Sequence, residues 1–191
     1  MPNATSATRT IMFLASLLVA AAFCWLIYLS VNGILFQHFA NKAISDNPNA
    51  PEMYYLRGCN HESFLNTYQN PFKSDEQHHE DWDREEKLAL ADFSKAVELA
   101  PDYACAYYHR GRCQWWHQPG APHDNESIIA DYKKALSLVP DDSQLHLELG
   151  RFYATINRKA EAIVEYQKAI ELVVDEDRGN RVQRELQELQ K

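Results

Sequence analysis

Between residues 51 and 174, apolar side chains recur at three- and four-residue spacing in six successive stretches. That period marks amphipathic helices, each burying one stripe. The six are of two alternating kinds. The first kind reads MYYLRGCNH, AYYHRGRCQ and LHLELGRFY, each with a glycine inside the helical pattern at Gly58, Gly111 and Gly150. The second kind reads ALADFSKAVELAP, IIADYKKALSLVP and AIVEYQKAIELVV. Pro101 and Pro140 end helices, since proline has no N–H to continue the ladder, and Asp102 and Asp141–Ser143 offer caps to the helices that follow. Further on, RVQRELQELQK carries an apolar stripe of Val182, Leu186 and Leu189 on an otherwise charged helix. The pattern predicts an all-α chain of three helix–turn–helix repeats closed by a capping helix with a polar outer face.

The repeats are similar to the tetratricopeptide repeat, whose pattern sets an aromatic, Leu-Gly, a second aromatic, then Ala, aromatic, Ala and Pro at fixed offsets. In the third repeat these positions are His146, Leu149-Gly150, Tyr153, Ala162, Tyr166, Ala169 and Val174. In the second they are Tyr107, Arg110-Gly111, Gln114, Ile128, Tyr132, Ala135 and Pro140, and in the first Tyr54, Arg57-Gly58, His61, Ala89, Phe93, Ala96 and Pro101. The resemblance implies a solenoid with repeats at 51–101, 102–140 and 141–174 and a capping helix at 175–191. Ala43 and Pro48 match the end of a further second helix, so 37–50 reads as a helical connection and degenerate half-repeat.

Spacing differs among the repeats. Gly150 to Ala162 takes 12 residues, whereas Gly58 to Ala89 takes 31 and Gly111 to Ile128 takes 17. The first repeat therefore holds a 19-residue insertion and the second a 5-residue one, both between the paired helices. Insertions at one edge of a repeat array mark a binding face. Phe64, Tyr68, Phe72 and Trp82 make the longer one more aromatic than a free linker requires, so an ordered edge that docks on a partner is expected. The HHED run at 78–81 falls in this insertion and reads as a polar loop.

Ahead of the repeats, Ile11 to Phe36 is a run of 26 residues without a charge. As a helix it reaches about 39 Å, more than the roughly 30 Å of bilayer hydrocarbon. A cleaved leader would have a shorter apolar stretch and a small-x-small cleavage site. A retained single-pass transmembrane helix at 11–36 is expected, preceded by a tail at 1–10. Arg9 and the amino terminus at one flank place the repeat domain on the extracytoplasmic side, periplasmic or lumenal.

Charge narrows the partners. Removing Arg9 from the 19 Lys and Arg leaves 18 against 27 Asp and Glu, so residues 41–191 carry a net charge of −9. Such a domain repels phosphate backbones and is not expected to bind nucleic acid. No Gly-rich phosphate loop, nucleophile elbow or zinc-protease helix motif is present, so neither an enzyme nor a cofactor is expected.

The resemblance implies that the first helices line a groove through Glu52, Tyr55, Cys59 and Glu62, then Cys105, Tyr108, Arg112, Trp115 and Trp116, then Gln144, Leu147, Arg151 and Ala154. Tyr55, Tyr108, Arg112, Trp115, Trp116, Leu147 and Arg151 are the candidate contacts, since Tyr, Trp and Arg most often anchor interfaces. Chaperone-binding relatives clamp a carboxylate with Lys and Asn. Tyr55, Cys59, Gln144 and Glu148 do not reproduce that set. The implied function is a membrane-anchored protein–protein interaction scaffold, an accessory subunit or assembly factor of a membrane complex. A second reading rests on Cys105, His109, Cys113 and His117 at successive four-residue steps. Cys113 and His117, with Cys59 and His61 from the first repeat, are the candidates for a metal or redox site, and Cys59 with Cys113 for a disulfide.

Overall fold

The computed structural model describes residues 35–67, 75–116 and 124–191, with side chains described for 35–63, 80–115 and 124–191. The span expected at 11–36 lies outside the described residues except for its last two. No helix among the described residues is long and apolar enough to cross a membrane. The chain divides into two units, 1–46 and 47–191. In the first, residues 35–46 form helix α1, which ends within the expected helical connection. Lys42 and Asp46 pair along it at 3.2 Å.

The second unit consists of α2 (Pro51–Thr67), α3 (Asp75–Leu99), α4 (Ala104–Trp116), α5 (Asn125–Leu138), α6 (Ser143–Thr155), α7 (Lys159–Leu172) and α8 (Glu176–Leu189). Helices pack with their neighbours in sequence, α2 on α3 through to α7 on α8, and α2 also meets α4. Three hairpins and a terminal helix result, with short-range contacts throughout. Within each hairpin the helices cross at the repeated glycine. A Cβ on Gly58 would lie 2.7 Å from Cε1 of Phe93, and one on Gly150 would lie 3.3 Å from Cδ1 of Tyr166. Phe93, Tyr132 and Tyr166, the matching aromatics of the second helices, are all buried.

Turn chemistry sets the helix ends. Asp142 caps α6, its side chain accepting from the N–H groups of Gln144 (2.8 Å) and Leu145 (3.2 Å). Asp175 caps α8 through the N–H of Arg178 at 2.7 Å. Asp102 acts instead through its backbone, its carbonyl accepting from Ala104 N–H at 3.1 Å. Between α6 and α7, Asn157 adopts φ 61°, and the N–H of Arg158 returns to the carbonyl of Tyr153 at 2.8 Å. This left-handed helix exit usually takes glycine, with asparagine the common substitute.

The run at 78–81, within the first-repeat insertion, departs from the expected polar loop. α2 extends to Thr67 and α3 begins at Asp75, so residues 78–81 lie on a helix and only 68–74 separate the pair. The added turns of α3 have a polar outer face that apolar periodicity cannot register. They are held by an Asp81–Arg84 pair at 3.0 Å and by Trp82, which packs on the Ala89, Phe93 and Cys113 cluster. The chain closes with Val182 and Leu186 of α8 buried in the same core as Phe152, Tyr153 and Tyr166.

Candidate interaction surface

Four polar residues standing at aromatic or Leu positions of the repeat, His61, His146, Arg57 and Arg110, each find a partner on the facing helix. His61, buried at the second aromatic position, places Nδ1 at 2.6 Å from Glu85. His146 places Nδ1 at 2.7 Å from Glu165, and its Nε2 at 3.0 Å from the carbonyl of Pro140. Arg57 and Arg110 replace Leu ahead of the glycine, and each forms a two-point ion pair. Arg57 reaches Asp92 at 2.8 and 2.6 Å, and Arg110 reaches Asp131 at 2.8 and 2.6 Å. Each guanidinium also lies over the tyrosine three residues earlier, 5.7 Å from the Tyr54 centroid and 5.5 Å from that of Tyr107.

A second set of pairs ties α2 to α4 and α6 to α8. Glu62 of α2 is buried and accepts from Arg112 Nε at 2.9 Å and Nη2 at 2.8 Å, with His109 Nδ1 at 2.7 Å. Burial alone would raise its pKa; the hydrogen bonds from His109 and Arg112 outweigh that and hold it below the usual carboxylate range. Arg112 also donates to the Tyr108 hydroxyl at 3.2 Å. On α6, Glu148 Oε1 accepts from Gln144 at 2.9 Å and from Arg151 at 3.2 Å. Arg151 then grips Glu185 of α8 at 2.9 and 2.6 Å. Two buried polar atoms in this region, the Tyr132 hydroxyl and Glu148 Oε2, have no hydrogen-bond partner among the described residues.

The candidate groove residues therefore divide by environment. Tyr55 is half-buried against Phe93, Tyr103 and His109. Tyr108 is half-buried with its ring edge on Tyr132. Trp115 packs edge-on to Phe152 with centroids 5.5 Å apart, and Leu147 is a core residue of the same cluster. Arg112 and Arg151 are bound to carboxylates of their own chain, which raises both pKa values. The side chains of Trp116 and Phe64, and residues Tyr68, Phe72 and His117, lie outside the described residues. Trp82, expected at a docking edge, faces the core.

The Cys/His expectations are corrected in part. Cys59, Cys105 and Cys113 are free thiols in this structure, which holds no Cys59–Cys113 disulfide. Burial pushes the Cys59 thiol up to about 11 and that of Cys113 higher still, which leaves both poor nucleophiles. No group of three or more His, Cys, Asp or Glu among the described residues is arranged to hold a metal ion; the Nδ1 of His61 faces Glu85.

Sequence reasoning missed Asp92, Asp131, Glu185 and the pairing role of Glu62. The signal was present for two of them. Asp stands immediately before Phe93 and Tyr132 in the two repeats that carry Arg-Gly, while the repeat with Leu149-Gly150 has Glu165 there.

No protein-family model matches the chain, and no curated protein does. Solved structures are similar in fold. A crystal structure of MamA aligns with TM-score 0.55 at 18% identity over 71% of this chain, which spans 61% of that one. A second MamA structure gives 0.56 at 18%, covering 80% and 79% of the two chains. A thermophilic TPR protein of Thermus thermophilus gives 0.57 at 17%, covering 80% and 70%. By its fold, the repeat unit is a tetratricopeptide-like helical solenoid.

Proposed function

We propose that the chain is a membrane-anchored interaction scaffold, an accessory subunit or assembly factor of a membrane complex, with its repeat unit on the extracytoplasmic side. The observation carrying this reading is the cross-helix linkage of α2 to α4 through Glu62–Arg112 and of α6 to the terminal helix α8 through Arg151–Glu185. A surface fixed before its partner arrives loses less entropy on binding. Half-buried Tyr55, Tyr108 and Trp115 supply rigid aromatic area along that surface. The uncharged run at 11–36 supports the anchor, which confines the search for a partner to the membrane plane. The MamA and Thermus structures support the fold-level part of the reading only, because a repeat solenoid serves many partners.

The test is purification of the full chain from its own membranes in mild detergent, identifying what co-purifies in fixed proportion. A stoichiometric membrane-complex subunit is the expected result. Recovery as a lone monomer under gentle conditions would sink the subunit reading. Release of the chain from membranes by an alkaline wash would sink the anchor.

A further inference from the structure

The distribution of arginine pairing points to a specific subsite. Nine arginines are described in full. Six of them, Arg57, Arg84, Arg110, Arg112, Arg151 and Arg158, pair with carboxylates of their own chain. The three without a carboxylate partner among the described residues, Arg178, Arg181 and Arg184, all lie on α8, where Arg184 donates to the carbonyl of Asn180. Two of these three border a cleft of about 260 Å³ between α6 and α8, lined by Gln144, Leu147, Arg151, Arg178, Arg181 and Val182. Both side chains are exposed at its edge.

The cleft has a polar lip and an apolar floor. Arg178 and Arg181 are three apart on one helix face, so their guanidinium groups serve one side of the opening. Leu147 and Val182, both nearly buried, supply the floor. Arg151 is held by Glu148 and Glu185 and is not free to take a further carboxylate. The volume lies below the usual range for small-molecule pockets and suits one or two side chains of an extended segment. The chain does not supply that segment from its remaining stretches: residues 1–34, 68–74 and 117–123 contain no Asp or Glu.

We propose that this cleft docks an acidic segment of a protein partner, with carboxylates on Arg178 and Arg181 and a neighbouring aliphatic side chain on Leu147 and Val182. It rests on the scaffold reading above and names the chemistry of the partner. Paired guanidinium–carboxylate bonds set register, and the apolar contact favours a segment in which acidic and aliphatic residues alternate over a purely acidic one.

The experiment uses the full chain in mild detergent and a short labelled peptide of alternating glutamate and leucine, followed by fluorescence anisotropy. The lysine–leucine peptide is the control. Binding of the acidic peptide alone is expected, weakening as salt rises. The Arg178→Glu/Arg181→Glu variant should lose about tenfold or more in affinity. Arg184→Glu, the same charge reversal at one position on the same helix away from the cleft, should not. Arg178→Gln/Arg181→Gln repeats the test if the reversal variant melts early. Equal binding by wild type and both double variants, or binding of both peptides, would overturn the proposal. Salt-sensitive self-association lost in the double variant would assign the cleft to a second copy and also overturn it. The two readings separate cleanly. Peptide binding without any co-purifying partner leaves the cleft standing and the scaffold function fallen. A native partner retained equally by the double variant leaves the function standing and the cleft fallen.

Discussion

Arg57 and Asp92 lie 35 residues apart in sequence and meet in a two-point ion pair of 2.8 and 2.6 Å. Arg110 and Asp131 repeat the same geometry one hairpin later. The aspartates are nearly buried, with side chains 6% and 5% exposed, while the arginines keep 23% and 22%. Removing the arginine therefore leaves a carboxylate with little water and no counter-charge. Replacing Arg57 with Leu should cost about 2–3 kcal/mol, whereas Arg57→Leu with Asp92→Ala should recover most of that loss. A double-mutant cycle by urea unfolding checks this. Additive single effects would show that the two side chains are not coupled.

The glycines should differ in their tolerance of a methyl group. At Gly58 the added carbon meets the Phe93 ring at 2.7 Å, whereas at Gly111 its nearest neighbour is the Asp131 Cβ at 3.3 Å. Gly58→Ala is expected to cost about 2 kcal/mol through displacement of a buried ring. At Gly111 the helix preference for alanine, about 1 kcal/mol, should offset most of the milder crowding. Thermal melts of the two variants side by side give the comparison, and an equal fall in Tm would contradict it.

Asn157 offers a prediction in which glycine is the tolerated residue. Its φ of 61° favours glycine and penalises branched side chains. Asn157→Gly should leave stability within a few tenths of a kcal/mol of wild type, and Asn157→Val should lower it by about 1–2 kcal/mol. Chemical denaturation midpoints distinguish the two.

Acid should loosen the α2–α4 and α6–α8 junctions. For Glu185 the hydrogen bond from Arg151 lowers the pKa against the opposing effect of burial. For Glu62 burial is the larger influence, yet the bonds from His109 and Arg112 carry the net shift downward. A carboxylate whose folded pKa is depressed contributes stability fully above its unfolded value, about 4.3, and loses that contribution as pH falls through the folded value. Melting temperature should be nearly flat from about pH 7 to 5 and fall below about pH 4. Glu62→Gln should lower it at neutral pH and flatten part of the acid slope. An unchanged slope in that variant would place the acid sensitivity elsewhere.

Much of the fold was legible because burial imposes a period. The apolar stripes, Gly58, Gly111 and Gly150, and the buried Phe93, Tyr132 and Tyr166 follow from the need to cross two helices closely. Charge pairs carry no period, so nothing in the spacing of Arg112 or Arg151 indicated that Glu62 and Glu185 would claim them. The turns of α3 around residues 78–81 read as loop for the same reason: their sequence is polar, and Trp82 is the inward apolar side chain that follows them. The free chemistry of the candidate surface was not legible. Arg112 and Arg151 stood out by residue type, whereas Arg178 and Arg181 become notable only once the other arginines are seen to be occupied.

Neighbour-to-neighbour packing also has a mechanical consequence. Tension entering at Asn47 would load α2 against α3 first, and their parting would leave α6, α7 and α8 with all of their mutual contacts. A solenoid held by one end yields hairpin by hairpin, so the face built by Arg151, Leu147 and Val182 is the last to lose its shape.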